Sequence, residues 1–302
     1  MGEMFPLAVM LPAAVLSFAT FWQTLYALDG LPARITWRAG VVAVTNLLLP
    51  LLLRVYDELK DVETDLRLGR AGDPRYQHRA VVTGHVQVGD IVALRNAVIV
   101  ALIAINLSWG LSWPLLVFFA VLALFWASSR WFFWPAISRH LLLAFITHNP
   151  LTLAIGVYTV AVYLHLRGSS NVPAGAAVLV VGAWMQAAAW EVARKIRRPE
   201  DETDYQTYSK VLGWRVAGVL PALLVGLATL CWILVARAAH APAWLTWALL
   251  AGCALVAGSC VRFLVAPSSA SSNLRQPVEL FGAVVGLAVP LAMGFKYGIT
   301  FG

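Results

Sequence analysis

Long apolar segments recur along the whole of this chain. A membrane-spanning helix needs about 20 mostly apolar residues, and about nine segments come near that length. Hydrophobic residues make up 60% of the sequence and charged residues 12%, whereas a soluble domain carries about 25% charged residues. Because a helix satisfies its own backbone hydrogen bonds in lipid, this pattern predicts an all-α, polytopic membrane protein. The predicted spans lie roughly at 5–28, 36–57, 91–109, 112–134, 140–165, 174–195, 215–237, 243–265 and 278–299.

The chain is expected to fold as a single transmembrane domain over residues 1–302. Its first apolar segment has no basic stretch before it and no small-residue cleavage site, which favours a retained span over a signal peptide. Polar loops follow the second and the sixth spans, four spans apart. This spacing indicates two possible four-helix halves, about 1–134 and 135–265, followed by a ninth helix.

Basic residues are distributed unevenly between alternate loops. Of the 22 Lys and Arg residues, 17 lie at the connections after the second, fourth, sixth and eighth spans. The positive-inside rule then places the N-terminus and these loops in the cytoplasm, and a bacterial chain would reside in the cell membrane. Twelve of the 15 acids lie within 57–90 and 191–204, so both signs of charge share one membrane face. Because acids interrupt the basic loops and no nucleic-acid motif occurs, we expect no nucleic-acid partner.

An acidic stripe begins at the end of the second span. Asp57, Asp61 and Asp65 follow one another at four-residue spacing, and Arg54 and Glu58 share their helical face. Like charges one turn apart destabilise a helix by a few tenths of a kcal/mol per pair. A hard divalent cation relieves this repulsion, and Mg²⁺ prefers carboxylate oxygens together with substrate phosphate oxygens. The stripe therefore predicts a lipid diphosphate held through Mg²⁺.

A second polar region, residues 191–215, is rich in Arg and Lys. These side chains bind phosphate oxygens directly. The alternative is an ordinary solvated loop with ion pairs at helical spacing, as Glu191 and Lys195 have. The candidates for diphosphate binding across both polar regions and the connection after the fourth span are Arg54, Arg79, Arg139, Arg194, Lys195, Arg198 and Lys210.

At these residues the chain resembles the UbiA-type superfamily of intramembrane prenyltransferases. The first motif of that family reads NDxxDxxxD after the second span. Asp61 and Asp65 match its last two aspartates, and Asp57 and Glu58 stand in place of its Asn and first Asp. Segment 79–84 (Arg-Ala-Val-Val-Thr-Gly) is similar to an Arg-Pro-x-x-x-Gly element that follows in the family.

Later elements of the family pattern are matched in part. Segment 134–139 (Trp-Pro-Ala-Ile-Ser-Arg) resembles a Tyr-Pro-x-x-Lys-Arg element. Segment 207–213, which begins Thr-Tyr and ends in Gly, resembles the Thr/Ser-Leu-x-x-x-x-Gly tail of the second motif. The first Asp of that motif has no match, and the resemblance leaves Glu191, Glu200 and Asp204 as substitute ligands of a second Mg²⁺.

The resemblance implies a prenyl transfer reaction within the membrane. Family members ionise a polyprenyl diphosphate, and the allylic carbocation then alkylates an aromatic or other lipophilic acceptor. By this resemblance Asp57, Asp61 and Asp65 form the catalytic group, and with Glu58 they hold Mg²⁺ against the leaving diphosphate. The partners implied are the polyprenyl diphosphate, a small lipophilic acceptor and membrane lipid, and nothing in the sequence sets the oligomeric state.

A polar interruption in the fifth span offers candidates for the acceptor pocket. Pro150 breaks or kinks a helix and frees backbone carbonyls. His148 and Asn149 precede it and could contact the acceptor or the diphosphate, as could Tyr208 in the second polar region. The alternative is a polar cluster that packs helices together.

Other functions fit the same sequence. A UbiA-type terpene synthase would share the ionisation step and cyclise the chain without an acceptor, and phosphoribosyl transfer onto a polyprenyl phosphate also occurs in the superfamily. A transporter or lipid-binding protein that has lost the chemistry would account for the altered second motif. Product formed without any acceptor would favour the cyclase, and no diphosphate release would favour the non-catalytic protein.

Overall fold

The computed structural model describes residues 7–74, 76–202 and 205–302, and these residues are mostly helical. The helices are α1 (Leu7–Leu28), α2 (Trp37–Arg70), α3 (Val88–Asn106), α4 (Trp113–Ser129), α5 (Ala136–Arg139), α6 (Leu141–His148), α7 (Leu151–Arg167), α8 (Ala176–Ala193), α9 (Tyr208–Leu212), α10 (Trp214–Ala238), α11 (Ala243–Val265) and α12 (Arg275–Tyr297). Two strands, β1 (Ala33–Ile35) and β2 (Ile299–Phe301), pair in parallel with Ala33 opposite Ile299. Short 3₁₀ turns lie at Leu107–Trp109, Trp131–Phe133 and Pro199–Asp201.

The helices confirm an integral, multi-pass membrane protein. Among the described residues, eight segments are long and apolar enough to cross a membrane: α1, α2, α3 with its 3₁₀ turn, α6 with α7, α8, α10, α11 and α12. The remaining predicted span corresponds to α4, which has 17 residues. At about 1.5 Å per residue it falls slightly short of a bilayer core of about 30 Å.

Two breaks in the chain limit the predicted spans. The fourth span ends at Ser129 and not near 134, because Trp131, Phe132 and Phe133 have φ angles of 53°, 50° and 59°. Residues in this left-handed region cannot continue a right-handed helix. The break predicted at Pro150 is confirmed, since α6 ends at His148 and α7 begins at Leu151.

Two compact units make up the fold, and the first consists of residues 36–133 with α1 up to Phe18. Its α2 continues to Arg70, beyond the predicted end of the span at 57. Val62 of this extension is buried in one apolar cluster with Val55, Val86 and Ile91, so the loop before α3 and the start of α3 pack on α2. Burial of this apolar face explains why a charged segment continues as a helix.

The second unit consists of residues 19–35 and 134–302. In it α10 packs against α8 and α11, and α11 packs against α12. The α8–α10 contact is close at Gly182, where an added Cβ would lie 2.8 Å from Cys231 Cβ. Small residues of this kind let membrane helices approach each other. The duplication of a four-helix unit stays a prediction.

Candidate functional site

The acidic stripe of α2 lies in the first unit, as the sequence predicted. Its four acids differ in burial: Glu58 and Asp65 are buried at 5% exposure each, whereas Asp57 and Asp61 are exposed. The difference in burial follows from helical geometry. The apolar face of α2 that packs on the loop before α3 runs along one side of the stripe, and Glu58 and Asp65 lie nearer to that side than Asp57 and Asp61. A charged group with 5% exposure needs a partner, since removal from water disfavours the ionised form.

Basic side chains supply such partners for three of the four acids. Arg54 forms an ion pair with Glu58, and Lys60 Nζ lies 3.6 Å from Asp57 Oδ1. Arg79 Nε lies 3.7 Å from Asp65 Oδ2. Within the part of the chain that the structure describes, Asp61 forms no ion pair with a Lys or Arg side chain.

Arg79 reaches Asp65 because its loop folds back on α2. The backbone N–H groups of Val82 and Thr83 donate to the Arg79 carbonyl, at 2.9 and 3.0 Å, and so form a turn. Val82 approaches Gly69 so closely that a Cβ at Gly69 would lie 2.6 Å from Val82 Cγ1. The glycine near the end of α2 thus allows the loop to hold Arg79 beside the stripe.

Lys60 has a second contact that the sequence did not reveal. Its ammonium lies 4.5 Å from the centre of the Trp131 ring, in cation–π geometry. Lys60 and Trp131 are 71 positions apart in the sequence, and no local pattern connects them. The lysine is mostly buried between the ring and Asp57, which fixes one end of the stripe.

In the second unit, Glu191 is already engaged by basic residues. Arg194 Nε donates to Glu191 Oε2 at 2.6 Å, and Lys195 Nζ lies 2.9 Å from Oε1. Both carboxylate oxygens therefore have a cationic partner. Glu191 is thus an ion-pair partner in this structure, which was the alternative to its role as a metal ligand. It could bind a metal only if those ion pairs opened.

The other two proposed ligands of a second metal differ from Glu191. Glu200 is exposed and lies 3.8 Å from Arg198, and Asp204 lies outside the described residues. Arg198 instead donates two hydrogen bonds to Asp201, at 2.6 and 2.9 Å. This bidentate contact lowers the pKa of Asp201 and raises the pKa of Arg198.

Segment 207–213 forms the short helix α9, and Thr207 caps it. Thr207 Oγ1 accepts a hydrogen bond from Lys210 N at 3.1 Å and donates to the Glu202 carboxylate at 2.7–2.8 Å. Tyr208 is buried, its N–H donates to the Lys195 carbonyl at 3.1 Å, and its ring meets Phe145 of α6 edge-on. Burial raises the pKa of Tyr208. The segment that resembles the motif tail is thus a capped helix that packs at the end of α8.

The polar interruption before Pro150 is also anchored within the second unit. Asn149 Oδ1 accepts a hydrogen bond from Trp184 Nε1 of α8 at 2.6 Å. His148 Nδ1 lies 3.0 Å from the hydroxyl of Thr147. Asn149 therefore holds helices together, as expected from the alternative of a polar cluster that packs helices.

Arg139, a candidate for diphosphate binding, has an exposed side chain, and its carbonyl accepts a hydrogen bond from Gln206 Nε2 at 3.0 Å.

Comparison with known proteins supports the fold. No protein-family profile matches the sequence, and no curated protein matches it. Among solved structures, a UbiA homolog from Aeropyrum pernix K1 matches with a TM-score of 0.61 at 18% identity, over 93% of this chain and 96% of that one. A digeranylgeranylglyceryl phosphate synthase in membranes matches with a TM-score of 0.61 at 12% identity, over 97% and 96%. The chain has the UbiA-type fold.

The oxygen donors of the acidic stripe decide how it could hold Mg²⁺. Among the described residues, no three His, Cys, Asp or Glu side chains lie close enough together to hold one metal ion. Mg²⁺ seldom needs such a cage, because it usually binds one or two carboxylates together with substrate phosphates and water. The described residues therefore do not form the cage of Asp57, Glu58, Asp61 and Asp65 that was expected. Asp61, which has no ion pair among the described residues, is the carboxylate open to a Mg²⁺ that shares its coordination with a diphosphate.

Proposed function

We propose that the chain is a Mg²⁺-dependent prenyltransferase, which transfers a polyprenyl group from its diphosphate to a lipophilic acceptor in the membrane. The proposal draws on the UbiA-type fold, which a digeranylgeranylglyceryl phosphate synthase shares. The observation that carries it is the arrangement of α2, where a carboxylate without an ion pair among the described residues stands between Asp57 and Asp65. In this proposal the N-terminus and both polar loops face the cytoplasm.

The charge balance of the stripe supports this role for Asp61. Among the described residues Asp57, Glu58 and Asp65 each form an ion pair with a basic side chain, whereas Asp61 forms none, and the repulsion by Asp57 and Asp65 outweighs its attraction to Arg79 and Lys60. An exposed carboxylate one helical turn from two others attracts a cation more strongly than it would alone. The stripe is thus held together before any ligand arrives and keeps one position for a cation.

The remaining side chains have distinct tasks in this proposal. When bound, Mg²⁺ would supply positive charge that stabilises the departing diphosphate. The turn at Arg79 places its guanidinium beside Asp65, where it could bind phosphate oxygens. In the second unit Glu191 holds Arg194 and Lys195 in place. The apolar spans exclude water from the isoprenoid chain, which prolongs the life of a carbocation.

The test compares two charge-removing substitutions on the same helix. Asp61→Asn should lower Mg²⁺-dependent release of diphosphate from geranylgeranyl diphosphate by about 100-fold or more. Glu63→Gln removes an equal charge from an exposed position outside the stripe and should leave the rate near that of the wild type. Release that continues undiminished in Asp61→Asn would refute the metal site.

Products separate the proposal from its alternatives. A prenylated acceptor that forms when lipid extract is added supports the transferase. A hydrocarbon or terpene alcohol that forms with Mg²⁺ and substrate alone would identify a cyclase. Absence of diphosphate release with every chain length from geranyl to decaprenyl would identify a non-catalytic protein.

A further inference from the structure

A pocket in the second unit has a lining that suits an anion. It opens where α8 ends, beside the loop 266–274 and the first turn of α12, and its volume is about 280 Å³. This volume lies just below the range of about 300–1,000 Å³ that is usual for small-molecule sites, so a head group fits better than a whole lipid. Its polar lining consists of Arg194, Ser269, Ser272, Asn273 and Arg275.

The two arginines of the pocket are held by the same aromatic ring. Their guanidinium carbons lie 5.3 Å (Arg194) and 5.9 Å (Arg275) from the centre of the Trp190 ring. Trp190 Nε1 and Arg275 Nε both donate to Glu279 Oε1, at 3.0 and 2.6 Å. Arg275 thus contacts its glutamate through Nε, and its Nη groups make no hydrogen bond to the described residues. Arg194 is paired with Glu191 and Arg275 with Glu279, so the hydrogen-bonding capacity that a phosphate would use lies at the Arg275 Nη groups.

The loop at the other side of the pocket is folded before any ligand binds. Ser268 N donates to Ser271 Oγ at 2.8 Å, and Ser271 N donates to Ser268 Oγ at 3.1 Å. Ser272 Oγ donates to the Ser269 carbonyl at 3.0 Å. Asn273 is exposed, and its amide has no hydrogen-bond partner within the part of the chain that the structure describes. A preformed loop loses little entropy when it binds a ligand.

The pocket lies where two spanning helices end, and this position points to a lipid. α8 ends at Ala193 and α12 begins at Arg275, and both helices are long and apolar enough to cross the membrane. Trp190 stands one turn before the end of α8, as tryptophans do at the membrane interface. Basic pockets at this depth bind lipid head groups. We propose that this pocket binds a phosphate group, and that an anionic phospholipid supplies it.

The test uses the purified full-length protein in a neutral detergent that contains phosphatidylcholine. Phosphatidylglycerol, or inorganic phosphate in a parallel series, is titrated while the thermal unfolding midpoint is followed. We expect phosphatidylglycerol to raise the midpoint of the wild type, and Arg275→Gln and Asn273→Ala to weaken its apparent affinity, by about tenfold for the arginine. Arg215→Gln is the matched control, because Arg215 is exposed and stacks on Trp214 but lies outside the pocket lining.

The outcomes decide both the site and the source of the phosphate. A midpoint shift that depends on Arg275 and occurs with phosphatidylglycerol but not with inorganic phosphate supports the lipid. An equal shift with inorganic phosphate keeps the phosphate pocket and refutes the lipid as its source. No shift in the wild type, or the same affinity in Arg275→Gln and Arg215→Gln, overturns the proposal. The binding assay contains no prenyl diphosphate, and Asp61→Asn should bind phosphatidylglycerol as the wild type does. The result is therefore independent of the proposed function.

Discussion

The contact between Gly69 and Val82 allows a quantitative test of how the loop with Arg79 is held. A Cβ at Gly69 would lie 2.6 and 2.7 Å from the two Cγ atoms of Val82, and 3.2 Å from its Cβ. Ordinary contacts between carbon atoms lie at about 3.5–4.0 Å. Valine is short and stiff at χ1, so Gly69→Ala requires the loop backbone to move by roughly 1 Å.

The expected cost combines two opposing effects. Overpacking of this kind destabilises a protein by about 1–3 kcal/mol. Alanine in place of glycine in a helix gains up to about 1 kcal/mol. Gly69→Ala alone should therefore destabilise the protein by about 0–2 kcal/mol. In a Val82→Ala background the clash is gone, and the same substitution should stabilise the protein by up to about 1 kcal/mol.

Thermal unfolding of the four proteins of this double-mutant cycle measures the coupling. Gly40→Ala is the control, because Gly40 lies in the same helix and an added Cβ there meets no atom within 4 Å. If the loop moves, Arg79 also moves away from Asp65, so diphosphate release should fall in Gly69→Ala and recover in the double variant. An effect of Gly69→Ala that is unchanged by Val82→Ala would refute the packing of this loop on α2.

Substitutions at three further positions test other contacts. Tyr163→Phe removes the hydrogen bond that the buried Tyr163 hydroxyl donates to Asp29 at 2.5 Å, and it should lower the free energy of unfolding by about 1.5–3 kcal/mol. A decrease below about 0.5 kcal/mol in thermal unfolding would contradict the contact. Thr207→Val should destabilise the protein by about 1–2 kcal/mol through loss of the α9 cap, whereas Thr207→Ser should retain stability; equal midpoints for the two variants would argue against the cap. Arg198 lowers the pKa of Asp201, so their contact should stabilise the fold above about pH 4 and lose this effect as the pH falls further. The unfolding midpoints of the wild type and Asp201→Asn should therefore converge in acid, and a difference that stays constant with pH would contradict this contact.

The features that the sequence predicted are those that depend on neighbouring residues. Long apolar runs gave the spans, and Pro150 gave the break between α6 and α7, because both signals act within a few residues. The acidic stripe followed from four-residue spacing, and the structure has one continuous helix through Asp57 and Asp65. Helical periodicity is a local property and can be read without knowledge of the fold.

Features that depend on distant residues were not predicted. β1 and β2 pair residues from opposite ends of the chain, and three-residue strands carry no pattern of their own. The pairing of Arg79 with Asp65 depends on how the loop before α3 folds back on α2, and the position of Lys60 over Trp131 depends on where α4 ends. The left-handed turn at 131–133, which shortens the fourth span, has no glycine to mark it.

The pairing pattern along α2 separates what the acids do for stability from what they do for function. Asp65 is buried beside Arg79, so Asp65→Asn leaves a guanidinium without its partner and should reduce stability as well as activity. Asp61 is exposed and repelled by two neighbours, and Asp61→Asn removes two unfavourable pairs of a few tenths of a kcal/mol each. The unfolding midpoint of Asp61→Asn should therefore equal or slightly exceed that of the wild type while diphosphate release is lost. A lower midpoint in this variant would mean that Asp61 supports the fold, and its use as the cation ligand would lose its physical basis.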